Sequence, residues 1–166
     1  MPKSPHRQNS YHSVKVLDDK SFAELTEAAK NSPRLRSHLN LHESLDEPFQ
    51  RMVVGMEPDS YIRPHRHLLT PKPESLVCLR GSISVVLFDD SGEAQAVHRL
   101  SLDGATRGVD IPPGVWHTII SNESGSVFLE SKPGPYVPFE PDDFASWAPE
   151  DDADYVERLR RVASSE

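Results

Sequence analysis

Two histidines, His65 and His67, stand two residues apart, with Glu74 seven positions after the second and Gly81 seven beyond that. A third, His117, comes fifty residues after His67, at the end of the run Pro112-Pro113-Gly114-Val115-Trp116. On a β-strand, His65 and His67 project from one face, because strand side chains alternate. At about 3.3 Å rise per residue their backbones lie roughly 6.6 Å apart. That spacing lets two imidazoles close on one ion at about 2.1 Å. Three imidazoles and a carboxylate make a mixed nitrogen and oxygen set that suits one divalent transition metal, with Fe, Mn, Ni, Co and Zn all compatible. The complex would carry a net charge of about +1 and keep one or two positions open. Glu74 has two readings. It is a direct ligand, or it accepts a hydrogen bond from a ligand imidazole and leaves His65, His67 and His117 to hold the metal.

A second polar group sits upstream. From 34 to 42 the chain alternates, with Leu35, Leu39 and Leu41 on one side and Arg34, Arg36, His38, Asn40 and His42 on the other. That period predicts a half-buried strand. Arginine suits bidentate contact with carboxylate or phosphate, and Asn and His suit sugar hydroxyls. The face is expected to line the mouth of a ligand cavity, or else to join two copies of the chain through hydrogen bonds. Lys72, His38 and Tyr136 are the candidates by type for a general acid or base. Alternation turns Arg66 away from the histidine face. Cys78 reads as a small buried hydrophobe, and Trp116 as packing beside His117.

The elements that position these groups follow from pattern. Ser21 is expected to cap a helix over 22–30 with Glu24 closing a capping box, and Pro33 stops it. A short edge strand is expected at 14–16. Further strands are expected at 49–56, 61–69 (the histidine strand), 74–80, 82–88, 94–100, 109–111, 116–121 and 127–132, between Gly and Pro turns. An acidic-aromatic flap at 141–149 and a helix capped by Asp151 or Asp152, with Tyr155, Leu159 and Val162 inward, end the chain. The expected organisation is a mobile tail at 1–12, a helix and polar-faced strand at 13–48, a barrel at 49–138 and a flap and helix at 139–166.

Bulk properties narrow the class. At 166 residues one domain is expected. A net charge of -8 argues against a nucleic-acid surface. A single cysteine excludes an intrachain disulfide and fits a reducing compartment. Residues 1–10 hold no apolar run and no stretch approaches the roughly 20 apolar residues of a membrane span. A soluble cytoplasmic protein is expected. Open sheet edges favour pairing, so a twofold homodimer is expected too.

His65-x-His67 with Glu74 and Gly81 resembles the first cupin motif, and Pro112-x-Gly114-x-x-His117 resembles the second. The gap from His67 to Glu74 is longer than the usual one, and Asn122 comes one residue later than the motif's Asn. The chain is more similar still to the WbuC family of cupin-fold metalloproteins. That likeness runs through Ser32-Pro33-Arg34-x-Arg36-x-His38-x-Asn40-x-His42, 64–81, 111–117, Lys132-Pro133-Gly134-Pro135-Tyr136 and Phe144-Ala145-x-Trp147-Ala148-Pro149. The resemblance implies a mainly all-β fold: a cupin double-stranded β-helix or jelly-roll barrel with an N-terminal helix and a C-terminal helical extension. It implies a metal held by His65, His67, Glu74 and His117. That family sits among genes for bacterial O-antigen synthesis, which implies a sugar or sugar-nucleotide ligand. A metal with an open position suits isomerase, epimerase or lyase steps, and with Fe a dioxygenase. The alternative is a non-catalytic cupin that binds a sugar or a metal.

Overall fold

The computed structural model describes residues 14–68 and 70–164. The expected tail at 1–12 lies outside them, as does Leu69 at the end of the expected histidine strand. In chain order the elements are α1 (Asp19–Lys30), β1 (Arg36–Asn40), β2 (Phe49–Met56), β3 (Glu74–Arg80), β4 (Ser82–Phe88), β5 (Ala94–Ser101), β6 (Gly108–Ile111), β7 (Trp116–Ser121), β8 (Ser126–Pro133) and α2 (Ala153–Ala163), with a 3-10 turn at Pro141–Asp143 before α2. Strands β1-β2-β8-β3-β6 form one antiparallel sheet, and β5-β4-β7 form a second. This is the two-sheet β architecture of the cupin jelly roll, with a helix at each end.

Strand alternation decides what each sheet buries. Val54, Met56, Leu76, Cys78 and Phe128 point inward from the larger sheet and meet Ile83, Val85, Leu100 and Ile119. Cys78 is therefore a core side chain, almost fully buried. On the outside of the larger sheet α1 packs Leu25 against Val53 and Val127. Gly55 permits that approach, because a Cβ there would lie 3.0 Å from the Leu25 side chain. Behind the smaller sheet, Phe88, Trp116 and Ile120 pack on Ala145, Ala148, Leu159 and Ala163 of the C-terminal extension.

Four local expectations are corrected. Asp18, not Ser21, caps α1: Asp18 Oδ1 accepts from Ser21 N at 2.9 Å, and Ser21 Oγ accepts from Asp18 N at 2.9 Å. Ser21 is thus the far half of the capping box, and the helix starts three residues earlier than expected. Residues 14–16 form no strand; Val14 and Val16 are exposed and pair with no sheet. The polar strand shortens to β1 because Leu35 adopts φ +53, outside extended backbone. The histidine segment is no regular strand. Pro64 offers no N–H, and only His65 joins a ladder, bridging His117 on one side and Phe144 on the other.

The register grades the inner face of the larger sheet from apolar to charged. His38, Val54, Phe128 and Cys78 share one row across β1, β2, β8 and β3. The next row carries Asn40, Met52, Glu130 and Leu76. In the row after it Gln50 pairs Lys132, and Glu74 follows beside them, next to Ile111 of β6. The charged end is where the histidines arrive.

Candidate metal centre and its cavity

The histidine segment is pinned on both sides. His65 N donates to His117 O at 3.0 Å and His117 N donates to His65 O at 2.9 Å. From the flap, Ala145 N donates to Pro64 O at 2.9 Å, while Arg66 N donates to Asp143 O at 2.9 Å. This bridging sets the His65 and His117 ring centroids 4.4 Å apart. His67 comes alongside, its ring 5.6 Å from that of His65. Ligand-type atoms of His65, His67 and Glu74 all lie within 4.8 Å of one another. His117 joins them through its Nε2, 2.9 Å from Glu74 Oε2.

The hydrogen bonds around these rings fit a metal. His65 Nδ1 lies 3.0 Å from Arg63 O and His117 Nδ1 lies 2.9 Å from Val115 O. A carbonyl only accepts, so each Nδ1 carries the proton and each Nε2 presents its lone pair, the orientation that ligand imidazoles take. His117 Nε2 then confronts a carboxylate oxygen, acceptor against acceptor. His67 Nε2 is buried with no hydrogen-bond partner, although Glu74 Oε1 lies 3.0 Å away off the line of a bond. A cation shared among these atoms reconciles all of them. Burial, and after it the charge of His117, depresses the His65 pKa to about 3, so that ring is neutral and ready to coordinate. Burial alone would raise Glu74, but His117, His67 and the Lys132 ammonium hold its carboxyl well below the usual range.

Above the centre opens a cavity of about 1340 Å³. Arg34, Arg36, His38, Asn40 and His42 line it together with His65 and Glu74, so the polar face of β1 and part of the His/Glu cluster share one space. Tyr136 lines it as well and is half exposed. Of the three acid-base candidates Lys72 lies apart. Its ammonium donates to Pro135 O at 2.5 Å in a small side pocket of about 40 Å³ beside His67 and Lys132. Arg66 also lines the cavity rather than facing away, since the segment lacks strand alternation, and Arg63 lines it too. Arg66 stacks over Trp116 at 4.1 Å, and Arg63 donates to Ala145 O at 3.0 Å. Asn122 takes no part; its amide donates to Ser82 and Ser84.

Three residues of the site escape motif reasoning. Lys132 Nζ reaches Glu74 Oε1 at 2.7 Å and Glu130 Oε1 at 2.6 Å. Burial alone would lower the Lys132 pKa, but Glu130 and Glu74 together raise it. Burial raises Glu130. The third is Phe139, whose ring lies 5.0 Å from His67 in a stacked arrangement and 4.9 Å from His65 edge-on. A sequence signal existed for the first two. Phe128, Glu130 and Lys132 share one parity on β8, so a core-facing Phe128 takes both charges inward. For Phe139, in an irregular proline-rich connector, periodicity offers none.

Comparison with known proteins agrees with the fold. A conserved protein of unknown function from Streptococcus pyogenes superposes with a TM-score of 0.50 at 15% identity, covering 78% of this chain and 95% of that one. KdgF from Halomonas sp. gives 0.47 at 18% identity, over 64% and 84% of the two chains. A cupin-2 domain protein from Shewanella frigidimarina gives 0.44 at 19% identity, over 59% and 80%. At these identities the likeness is one of fold alone. No curated protein matches the chain. No helix among the described residues is long and apolar enough to cross a membrane. A family model, "Domain of unknown function (DUF6016)", matches residues 17–100, just over half the chain, and the chain therefore belongs to that family.

Proposed function

We propose that the protein is a small metal-dependent enzyme acting on a sugar or sugar-nucleotide intermediate of surface polysaccharide synthesis. The observation that carries the enzyme reading is the convergence of His65, His67, His117 and Glu74, of which His65 and Glu74 open onto a large cavity walled by the polar face of β1. His65, His67, Glu74 and His117 would hold one divalent ion, with Fe, Mn, Ni, Co and Zn all matched by the donor set. Once bound, such an ion with an open position polarises a carbonyl or activates water, and Fe extends this to dioxygen chemistry. The chain's own groups do the rest. Val115 O and Arg63 O fix two imidazole tautomers. Lys132 fixes the Glu74 carboxylate, and Phe139 covers two of the rings. His38 and Tyr136 are the acid-base candidates that face the cavity. The polysaccharide context rests on the resemblance to the WbuC family. The open edge of β1 supports a homodimer as the working form; light scattering at micromolar concentration that gives only the 18.6 kDa chain mass would refute the dimer.

A second reading, a non-catalytic sugar- or metal-binding module, is favoured by one observation. Lys72, the candidate nearest the ligands in sequence, is tied to Pro135 O rather than aimed into the cavity. One experiment separates the two. Protein loaded with each metal, with and without oxygen, is incubated with a panel of nucleotide sugars; products are followed by mass spectrometry and binding is measured alongside. Turnover is expected. Tight binding without turnover under every metal would overturn the enzyme reading in favour of the module.

A further inference from the structure

We propose that Arg34 and Arg36 form an oxyanion subsite in the cavity wall, which seats a carboxylate or phosphate group of the bound small molecule. This rests on reading the cavity as a ligand site and names the ligand's chemical class: an anion, not a neutral polyol.

The cavity lining holds five Lys and Arg side chains, and three of them face carboxylates. Lys132 lies between Glu74 and Glu130. Arg63 has Glu150 at 3.6 Å, and Arg66 has Asp90 at 3.5 Å. Arg36 has no such partner among the described residues. Its Nη1 donates only to neutral oxygens: Tyr61 O at 2.8 Å, Ser60 Oγ at 3.3 Å and Arg34 O at 3.4 Å. Its Nε and Nη2 make no hydrogen bond among the described residues and are not sealed from the cavity. Arg34, the fifth cation, lines the same cavity and forms no ion pair among the described residues either. Taking a guanidinium out of water without a counter-charge is costly, and a like charge two residues away adds to the cost. Burial first, and Arg34 second, bring the Arg36 pKa down to about 10, and no carboxylate offsets them.

The pair is built into the backbone. Leu35, between the two arginines, adopts φ +53, a left-handed conformation that a non-glycine residue rarely takes. It is held there by Leu35 N donating to Ser32 O and by Glu57 N donating to Leu35 O, both at 2.9 Å. Ser60 Oγ donates to Arg34 O at 2.7 Å and fixes the turn from the other side. Strain held by surrounding bonds is common at ligand clamps. The rest of the chain is acidic, with a net charge of -8, so this is a local feature and not a basic surface. A guanidinium fork matches the two oxygens of a carboxylate or phosphate, while a hydroxyl brings no charge to balance it.

The test uses the full chain freed of metal by dialysis against a chelator, so that anion binding at a metal ion does not contribute and failure of the metal reading leaves the test intact. Inorganic phosphate and acetate are the probes, with chloride at equal ionic strength as the control; thermal shift and isothermal titration are the readouts. At least one probe is expected to raise the melting temperature above the chloride control, and the tighter of the two names the anionic group. Arg36→Gln is expected to weaken that probe at least tenfold. Arg34→Gln, at an exposed position, is expected to weaken it severalfold and carries the test if the Arg36 variant does not fold. No shift over chloride with either probe, or wild-type affinity in the arginine variants, overturns the proposal.

Discussion

Lys132 Nζ lies 2.7 Å from Glu74 Oε1, an ion pair at the floor of the cavity between the only lysine of the inner β8 face and the carboxylate of the His/Glu cluster. The same ammonium is 2.6 Å from Glu130. One positive charge therefore separates two buried negative ones. Removing it, in Lys132→Met, leaves Glu74 and Glu130 facing each other. Breaking a buried pair in this way costs about 3–5 kcal/mol. Denaturant unfolding of the metal-free variant should show a loss of that order. A divalent ion should then stabilise the variant more than the wild type, since it supplies the missing charge. Wild-type stability without metal, or a smaller metal effect in the variant, would contradict this account of the ion pair.

Acid should unfold the metal-free protein in a defined direction. Burial, then His117, holds His65 at about 3 in the folded chain, against an ordinary value of 6.5. His38 is also lowered, by burial first and then by Arg34 and Arg36. Below pH 6.5 the unfolded chain takes up protons that the folded chain refuses, at His65 until about pH 3. The stability these groups contribute is complete above 6.5 and is lost as pH falls through that window. Urea midpoints measured from pH 7.5 to 4 should fall steadily. A midpoint that stays flat or rises would show that these rings are not neutral in the fold.

Phe139 is expected to govern access rather than affinity. Its ring covers His65 and His67 yet remains partly exposed at the cavity mouth. Phe139→Ala should keep the metal at equilibrium but release it severalfold faster to a chelator in stopped-flow measurements. An unchanged release rate would assign the ring to packing alone.

Much of this was legible in the sequence because the strands are short, alternating and bounded by Gly and Pro. Strands β2, β3, β4 and β7 begin and end where period and turn residues place them, and Asp152 caps α2. What escaped has physical causes. The histidine segment looks like a strand by period, but Pro64 and the docking of the flap leave one bridge at His65. Ser21 and Asp18 are both capping residues, and their reciprocal bonds are visible only in three dimensions. Arg66 faces away only if the segment is a strand, an inference that fails once strand geometry fails. The Glu130–Lys132 pair was within reach of parity on β8. It is hidden in the sequence by the usual rule that charged residues face water.

The C-terminal flap is held to the barrel partly by a glycine. Gly92 has φ +91, and a Cβ there would sit 2.7 Å from the Trp147 ring. Gly92→Ala therefore meets both backbone strain and a ring clash. A cost of about 1–3 kcal/mol is expected from the backbone alone, with protease cleavage appearing first in the flap. An unchanged unfolding midpoint and an intact flap would contradict the docking described here.

The central claim is that His65, His67, Glu74 and His117 hold one divalent metal. Elemental analysis of purified protein, before and after loading with Fe, Mn, Ni, Co or Zn and desalting, tests it most directly beside a His67→Ala variant. One metal ion per wild-type chain, with most of it lost in the variant, is the predicted result. Wild-type protein that stays empty after loading, or a His67→Ala protein that retains its full metal, would contradict the site.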